Sequence, residues 1–173
     1  MKKIYNLLFV ALLIIGLIGC DEYDLADQGI DLEELPGYVA FDAPGEEAFL
    51  DDEEVTEEDG SVSLRIEVPT GSLTDIAVSY TFSGSAVFGT DFTVDGASAS
   101  GGSITIEIDE SEFIDTDGVD LEVTLLTDDV ADGEKTLTVT LESAQSTDGL
   151  SFPVGRGGSD LLRTANVIIA DID

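Results

Sequence analysis

The sequence predicts an all-β domain, an antiparallel two-sheet sandwich of about seven strands. Three observations carry that prediction. Apolar residues recur with period two in several short runs, Asp-Gly pairs punctuate the chain between runs, and no stretch offers a convincing amphipathic helix. The first strand is expected at Tyr38 to Phe41. The next is Val62 to Val68, where Val62, Leu64, Ile66 and Val68 alternate with Ser63, Arg65 and Glu67, so alternate side chains would line one buried face. Ile76 to Phe82 follows, rich in β-branched and aromatic residues. Ile104 to Ile108, Leu121 to Leu125 and Leu137 to Leu141 repeat the alternation, and Val167 to Ile169 closes the set. Asp-Gly stands at 59–60, 95–96, 117–118, 132–133 and 148–149, each between strand candidates, and tolerates the positive φ angles of tight turns. Ser111 to Asp117 could form at most one helical turn. Ser143 to Asp160, rich in Gly and Ser, reads as a long loop before the last strand. An odd number of alternating strands would put the domain's two ends at opposite poles.

Ahead of this domain lies a different kind of segment. Lys2 and Lys3 precede an unbroken apolar run from Leu7 to Gly19, which ends at Cys20. A charged start, a short apolar stretch and a small residue before the cut make a secretory signal over residues 1–19. The run falls short of the roughly 18 apolar residues that a spanning helix needs. Leu17-Ile18-Gly19-Cys20 resembles a bacterial lipobox, which implies that Cys20 is lipidated and becomes the first residue of the mature protein. Acyl chains contribute about 0.8 kcal/mol of membrane affinity per buried methylene, so two or more on Cys20 would anchor the chain stably. Residues 20–37 are acidic and aperiodic and read as a flexible tether, leaving 38–173 as the domain. The expected location is the cell envelope, with the lipid in the outer membrane or at the cell surface.

Composition excludes much chemistry. Lys2 and Lys3 leave with the signal, so four basic residues face 38 acidic ones, a balance of −34. Such a chain is repelled by nucleic acid and anionic lipid and attracts cations. Like-charged surfaces also favour a monomer. Histidine is absent, which removes imidazole bases and His-bearing zinc or copper sites. The single cysteine is taken by the anchor, which removes disulfides and thiolate catalysis. Acidity alone could mean disorder, but 43% hydrophobic residues and a mean hydropathy of +0.18 support a folded core. Carboxylates for glycoside hydrolysis abound. A domain this small has little room for the apolar cleft that raises a catalytic acid's pKa, and no Trp is present to stack on a sugar. No enzyme is expected, and no catalytic residues are assigned.

Gly84-Ser85-Ala86-Val87-Phe88-Gly89-Thr90-Asp91-Phe92 resembles the Calx-beta module, whose pattern runs Gly-Thr-Ala, a short gap, then Gly-x-Asp-Tyr or Phe. Leu126-Thr127-Asp128-Asp129-Val130-Ala131-Asp132-Gly133-Glu134 is similar to the same family's acidic turn. Val167 to Asp173 is similar to its closing strand with an Asp-rich tail, and Val55 to Gly60 to its early glutamate before a glycine turn. The pieces occur in the family's order over residues 38–173. The resemblance implies an immunoglobulin-like sandwich that binds Ca2+ through loops at one end. It further implies Glu57, Asp91, Asp128, Asp129, Asp132, Asp171 and Asp173 as metal ligands. Two positions depart from the pattern: Asp132 stands where the family usually has glutamate, and Lys135 where it has a second one.

The chemistry of these residues is compatible with that implication. Calcium takes six to eight oxygen ligands, and carboxylates suit it. Asp171 and Asp173, two apart, would point to the same side of an extended chain. Carboxylates gathered without a cation repel by ~4 kcal/mol per pair at 4 Å and an effective dielectric near 20. The plainer reading is that acidic runs such as Asp51 to Glu54 are solvated faces, and that Asp132-Gly133 is only a turn. The sequence therefore supports an anchored calcium-binding interaction or adhesion module. The alternative is a metal-free structural or glycan-binding accessory lipoprotein. Any protein or glycan partner is left open.

Overall fold

The computed structural model describes residues 37–42, 50–69, 72, 74–108, 117–127 and 130–172, all within the compact unit Pro36–Asp173. The anchor at Cys20, the signal and tether, and Asp128, Asp129 and Asp173 lie outside the described residues, as does most of the Ser111 to Asp117 stretch.

Ten strands are described: β1 (Ala40–Phe41), β2 (Glu53–Thr56), β3 (Ser61–Val68), β4 (Ile76–Gly84), β5 (Phe92–Val94), β6 (Gly102–Ile106), β7 (Asp117–Leu125), β8 (Lys135–Ser146), β9 (Ser151–Phe152) and β10 (Thr164–Ala170). They form two sheets. One has the order β1-β3-β7-β5, and the other β2-β10-β8-β4-β6 with β9 also paired to β8. The alternation seen in the sequence becomes the core between them. Leu64, Ile66 and Val68 of β3 and Leu121, Val123 and Leu125 of β7 face Ile76, Val78 and Tyr80 of β4, Leu137, Val139 and Leu141 of β8, and Val167 and Ile169 of β10, all buried. The described domain is an all-β two-sheet sandwich.

Several elements differ from expectation, each for a physical reason. β8 does not stop at Leu141 but continues to Ser146, because Glu142 is an extra residue in its pairing with β4: Tyr80 opposes Leu141 and Ser79 opposes Ser143. Such a bulge shifts the alternation by one, so the inward residues become Ala144 and Ser146, and the strict period-two pattern is broken after Leu141. The stretch expected to be a long loop therefore holds the end of β8, the short β9 and a 3-10 turn at Arg156–Gly158. Asp117-Gly118 is not a turn. It opens β7, with Gly118 opposite Glu67, where a Cβ would lie 2.8 Å from Ile66 O and from Glu67 Cγ. Gly60, Gly96, Gly133 and Gly149 of the other Asp-Gly pairs do have positive φ. β2 was not anticipated, and it pairs with β10 in parallel, so the sandwich is not wholly antiparallel.

The two poles follow from the registers. At one pole β2, β4, β7 and β10 end while β3, β5 and β8 begin. At the other, Tyr38 enters, where β1 pairs with the far end of β3 and Val39 donates to Pro153 O at 2.9 Å. The domain's ends do sit at opposite poles, although the strands do not strictly alternate: β1 and β2 run the same way, as do β5 and β6, and β9 and β10.

Candidate metal centre

Four acid-bearing segments meet at the first pole. The parallel register of β2 on β10 sets Thr56 opposite Ala170, so Glu57 and Asp171 emerge side by side. Glu57 begins the 3-10 turn Glu57–Asp59 and is only 4% exposed. Gly60 O, just beyond that turn, accepts from Leu125 N at 3.0 Å. Asp91 O accepts from Leu126 N at 2.9 Å, which ties the third segment to the same loop. Asp171 Oδ2 accepts from Gly133 N at 2.5 Å and joins the chain's end to the Asp132-Gly133 turn.

Asp91 is buried to the same degree as Glu57, with Oδ2 accepting from Val87 N at 2.5 Å. The loop that presents it is clamped at both ends. Gly84 has φ +111, and a Cβ there would sit 2.1 Å from Thr136 O, the atom that accepts from both Ser85 N and Ala86 N. Beneath the loop, Phe88 packs edge-on against Phe92 at 5.6 Å and stacks on Phe82 at 6.0 Å. Tyr80 and Phe92 are buried in the core, whereas Phe82 and Phe88 are half-buried and pack against it.

Asp132 is more exposed and pairs with Lys135, whose Nζ lies 2.9 Å from Asp132 Oδ2. Lys135 is held above the usual lysine range, first by that hydrogen bond and further by the charges of Asp132, Asp91 and Asp171. Asp59 is a polar anchor that the sequence reading missed. Its Oδ2 accepts from Thr56 N at 2.6 Å and from Thr56 Oγ1 at 2.9 Å, which fixes the turn that carries Glu57. The signal was available: a threonine with an acid three residues on is a capping pattern.

The donors are all carboxylates, the set a hard cation prefers. Yet among the described residues no three acidic side chains lie close enough together to hold an ion. The structure thus brings Glu57, Asp91, Asp132 and Asp171 to one pole without closing a coordination shell from them. A separate cavity of about 200 Å³ opens between the β1 and β2 edges, lined by Leu50, Asp51, Arg65 and Asn166 among others, where Glu53 and Asp51 are exposed as expected of the acidic run.

The architecture matches solved domains. The apo-form Calx CBD1 domain superposes with a TM-score of 0.55 at 19% identity, covering 80% of this chain and 99% of that one. The chain has the Calx-beta fold. The Calx CBD2 domain gives a TM-score of 0.54 at 17% identity, over 78% of this chain and 86% of that one. The calcium binding domain CBD12 of CALX1.1 gives 0.50 at 22% identity, over 78% of this chain but 44% of that longer one. No family model matches the sequence, and no curated protein matches it either.

Asp59 provides a pH test. Its hydrogen bonds from Thr56 hold its pKa below the ordinary 3.8, so the folded carboxyl ionises more readily than the unfolded one. The stabilisation is then complete above pH 3.8 and is lost as pH falls through the lower folded value. Asp59→Asn should melt below the wild type at pH 7 and at pH 5. The gap should close only beneath pH 3.8, as followed by circular dichroism.

Proposed function

We propose that this protein is a cell-envelope lipoprotein, anchored through lipidated Cys20 to the outer membrane or cell surface, that carries one calcium-binding interaction or adhesion module. The observation that carries the calcium reading is the meeting at one pole of four acids far apart along the chain: Glu57, Asp91, Asp132 and Asp171. A solved domain of the same fold is described as a calcium binding domain, which supports the reading. Asp128, Asp129 and Asp173 are the residues that would complete the shell.

The role is binding rather than catalysis, since the chain lacks histidine and its one cysteine serves the anchor. The −34 balance argues against nucleic acid and for a monomer, with a protein or glycan as partner. The calcium pole lies at the end of the domain opposite Tyr38, where the tether would join. A metal-free structural or glycan-binding role is the second reading, favoured by the cation already present at the pole, Lys135.

Thermal melts of the full chain in detergent, with calcium and with chelator, separate the two. Extracellular calcium modules bind with Kd ~10⁻⁴–10⁻³ M. At ten times Kd the ion stabilises the fold by about 1.4 kcal/mol. For a domain of this size the melting point should rise by roughly 3–6 °C. The Asp91→Asn, Asp171→Asn double variant should lose that rise. An unchanged wild-type melt would leave only the metal-free reading.

The anchor has its own test. Cys20→Ser should leave the protein in the soluble fraction or unprocessed. Normal cleavage with continued membrane fractionation would contradict the lipoprotein assignment.

A further inference from the structure

The cavity of about 200 Å³ on the flank of the sandwich lies where the chain changes sheets. β1, coming from the Tyr38 pole, pairs with β3 only at Ala40 opposite Glu67 and Phe41 opposite Ile66. The last bond along that edge runs from Asp42 N to Arg65 O at 3.1 Å. Asp42 then takes φ +40 and turns the chain away, and β2 begins at Glu53 on the other sheet. Among the described residues no strand pairs with the first half of β3 on that side.

Register decides which backbone groups face that open side. Gly60 O accepts from Leu125 N, so the even-numbered residues of β3 direct N–H and C=O towards β7. The odd-numbered residues, Arg65 among them, direct theirs towards the β1 side. Ser63 therefore turns its backbone donor and acceptor towards the cavity that it lines. An open edge of this kind is a template for an added strand.

The cavity itself selects a side chain. Its floor is apolar: Phe41, Leu64 and Ala165 are buried there, and Leu50 is half-buried. Its rim is acidic, with Asp42, Asp51 and Glu53 exposed. Arg65 is the only basic residue in the described lining, and its guanidinium is engaged by Glu67 at 3.2 Å and Asp120 at 3.4 Å. An apolar cavity of ~150 Å³ holds a benzene-sized molecule, whereas drug-sized ligands occupy ~300 Å³ or more. The volume here therefore suits one long side chain. Lysine and arginine fit such a boundary, with the aliphatic stem on the apolar floor and the cationic head at the acidic rim.

We propose that this flank binds an extended basic peptide of a partner protein, which adds as a strand beside Ser63 of β3 and places a lysine or arginine in the cavity. Backbone pairing gives such a complex its affinity, and the cavity gives it selectivity. Charge decides the occupant. Residues 20–37 of this chain are acidic and a second copy carries the same −34 balance, so the rim repels both. The proposal supplies a partner for the interaction role above, and it depends on neither calcium nor the anchor.

Calorimetric titration of the full chain in non-ionic detergent, with chelator present, tests it. The probe is acetyl-Val-Thr-Lys-Thr-Val-amide, with the same peptide carrying glutamate for lysine, and spermidine, as controls. The lysine peptide should bind, less tightly as sodium chloride is added, and neither control should bind measurably. Asp51→Asn with Glu53→Gln should lower the affinity about fivefold, the effect of two rim ion pairs. Ser63→Pro removes the N–H that faces the cavity and no bond of the ladder to β7, and should lower the affinity about tenfold. No binding of the lysine peptide, or equal binding of its glutamate analogue, would overturn the proposal. Equal binding of spermidine, or a folded Ser63→Pro that binds as the wild type does, would overturn the strand addition. Should Ser63→Pro fail to fold, an unchanged affinity in the Asp51→Asn, Glu53→Gln variant would still count against the acidic rim. Binding of a peptide of residues 22–30 would assign the cavity to the chain's own tether and would also overturn the proposal. The calcium melts described above are independent of every one of these results.

Discussion

The parallel pairing of β2 with β10 is the constraint on which the acidic pole depends. An antiparallel neighbour would have sent Glu57 to the opposite end of the sandwich. With Thr56 opposite Ala170, the two strands finish together and deliver Glu57 and Asp171 to one place. The 3-10 turn then carries the chain across from one sheet to the other, and its hold is local: Asp59 accepts twice from Thr56. The remaining two segments are stitched to this frame by backbone bonds from Leu125 to Gly60 and from Leu126 to Asp91, and by the Gly133 N–H donating to the Asp171 carboxylate.

That arrangement carries an electrostatic cost. Two carboxylates, Glu57 and Asp91, are almost wholly buried, and both lie at the pole where Asp132 and Asp171 also emerge. Burial weakens screening by solvent, so like charges there repel more strongly than on an open surface. The fold answers with backbone N–H donors to Asp91 and Asp171 and with the ammonium of Lys135. The opposite pole, where Tyr38 enters and Val39 is gripped between Pro153 and Gly155, is held by backbone pairing.

Much of the fold was readable from residue patterns, because half-buried strands impose a period of two. β3 and β7 were found where Leu64 and Leu121 alternate with polar neighbours, and β4 and β10 from their β-branched and apolar runs around Val78 and Val167. What escaped was whatever breaks that period or lacks apolar residues. The bulge at Glu142 hid the second half of β8, and the acidic Glu53-Glu54 hid β2, whose exposed side chains give no hydrophobic signal. Asp117-Gly118 looked like a turn because glycine serves turns and close backbone approach alike, and only the packing against Glu67 tells them apart. At the pole, Glu57, Asp91, Asp132 and Asp171 were named from a family resemblance, and their convergence needed the β2–β10 register, which leaves no trace in local sequence. Asp59 was within reach from its spacing to Thr56.

Amide hydrogen exchange of the full chain, with calcium and with chelator, addresses the central claim most directly, that four separate segments form one cation-responsive pole. Calcium should slow exchange together at 57–60, 87–91, 130–134 and 171–172, and leave the turn at 147–150 at the opposite pole unchanged. Protection that is absent, spread evenly over both sheets, or confined to a single one of those segments would contradict it.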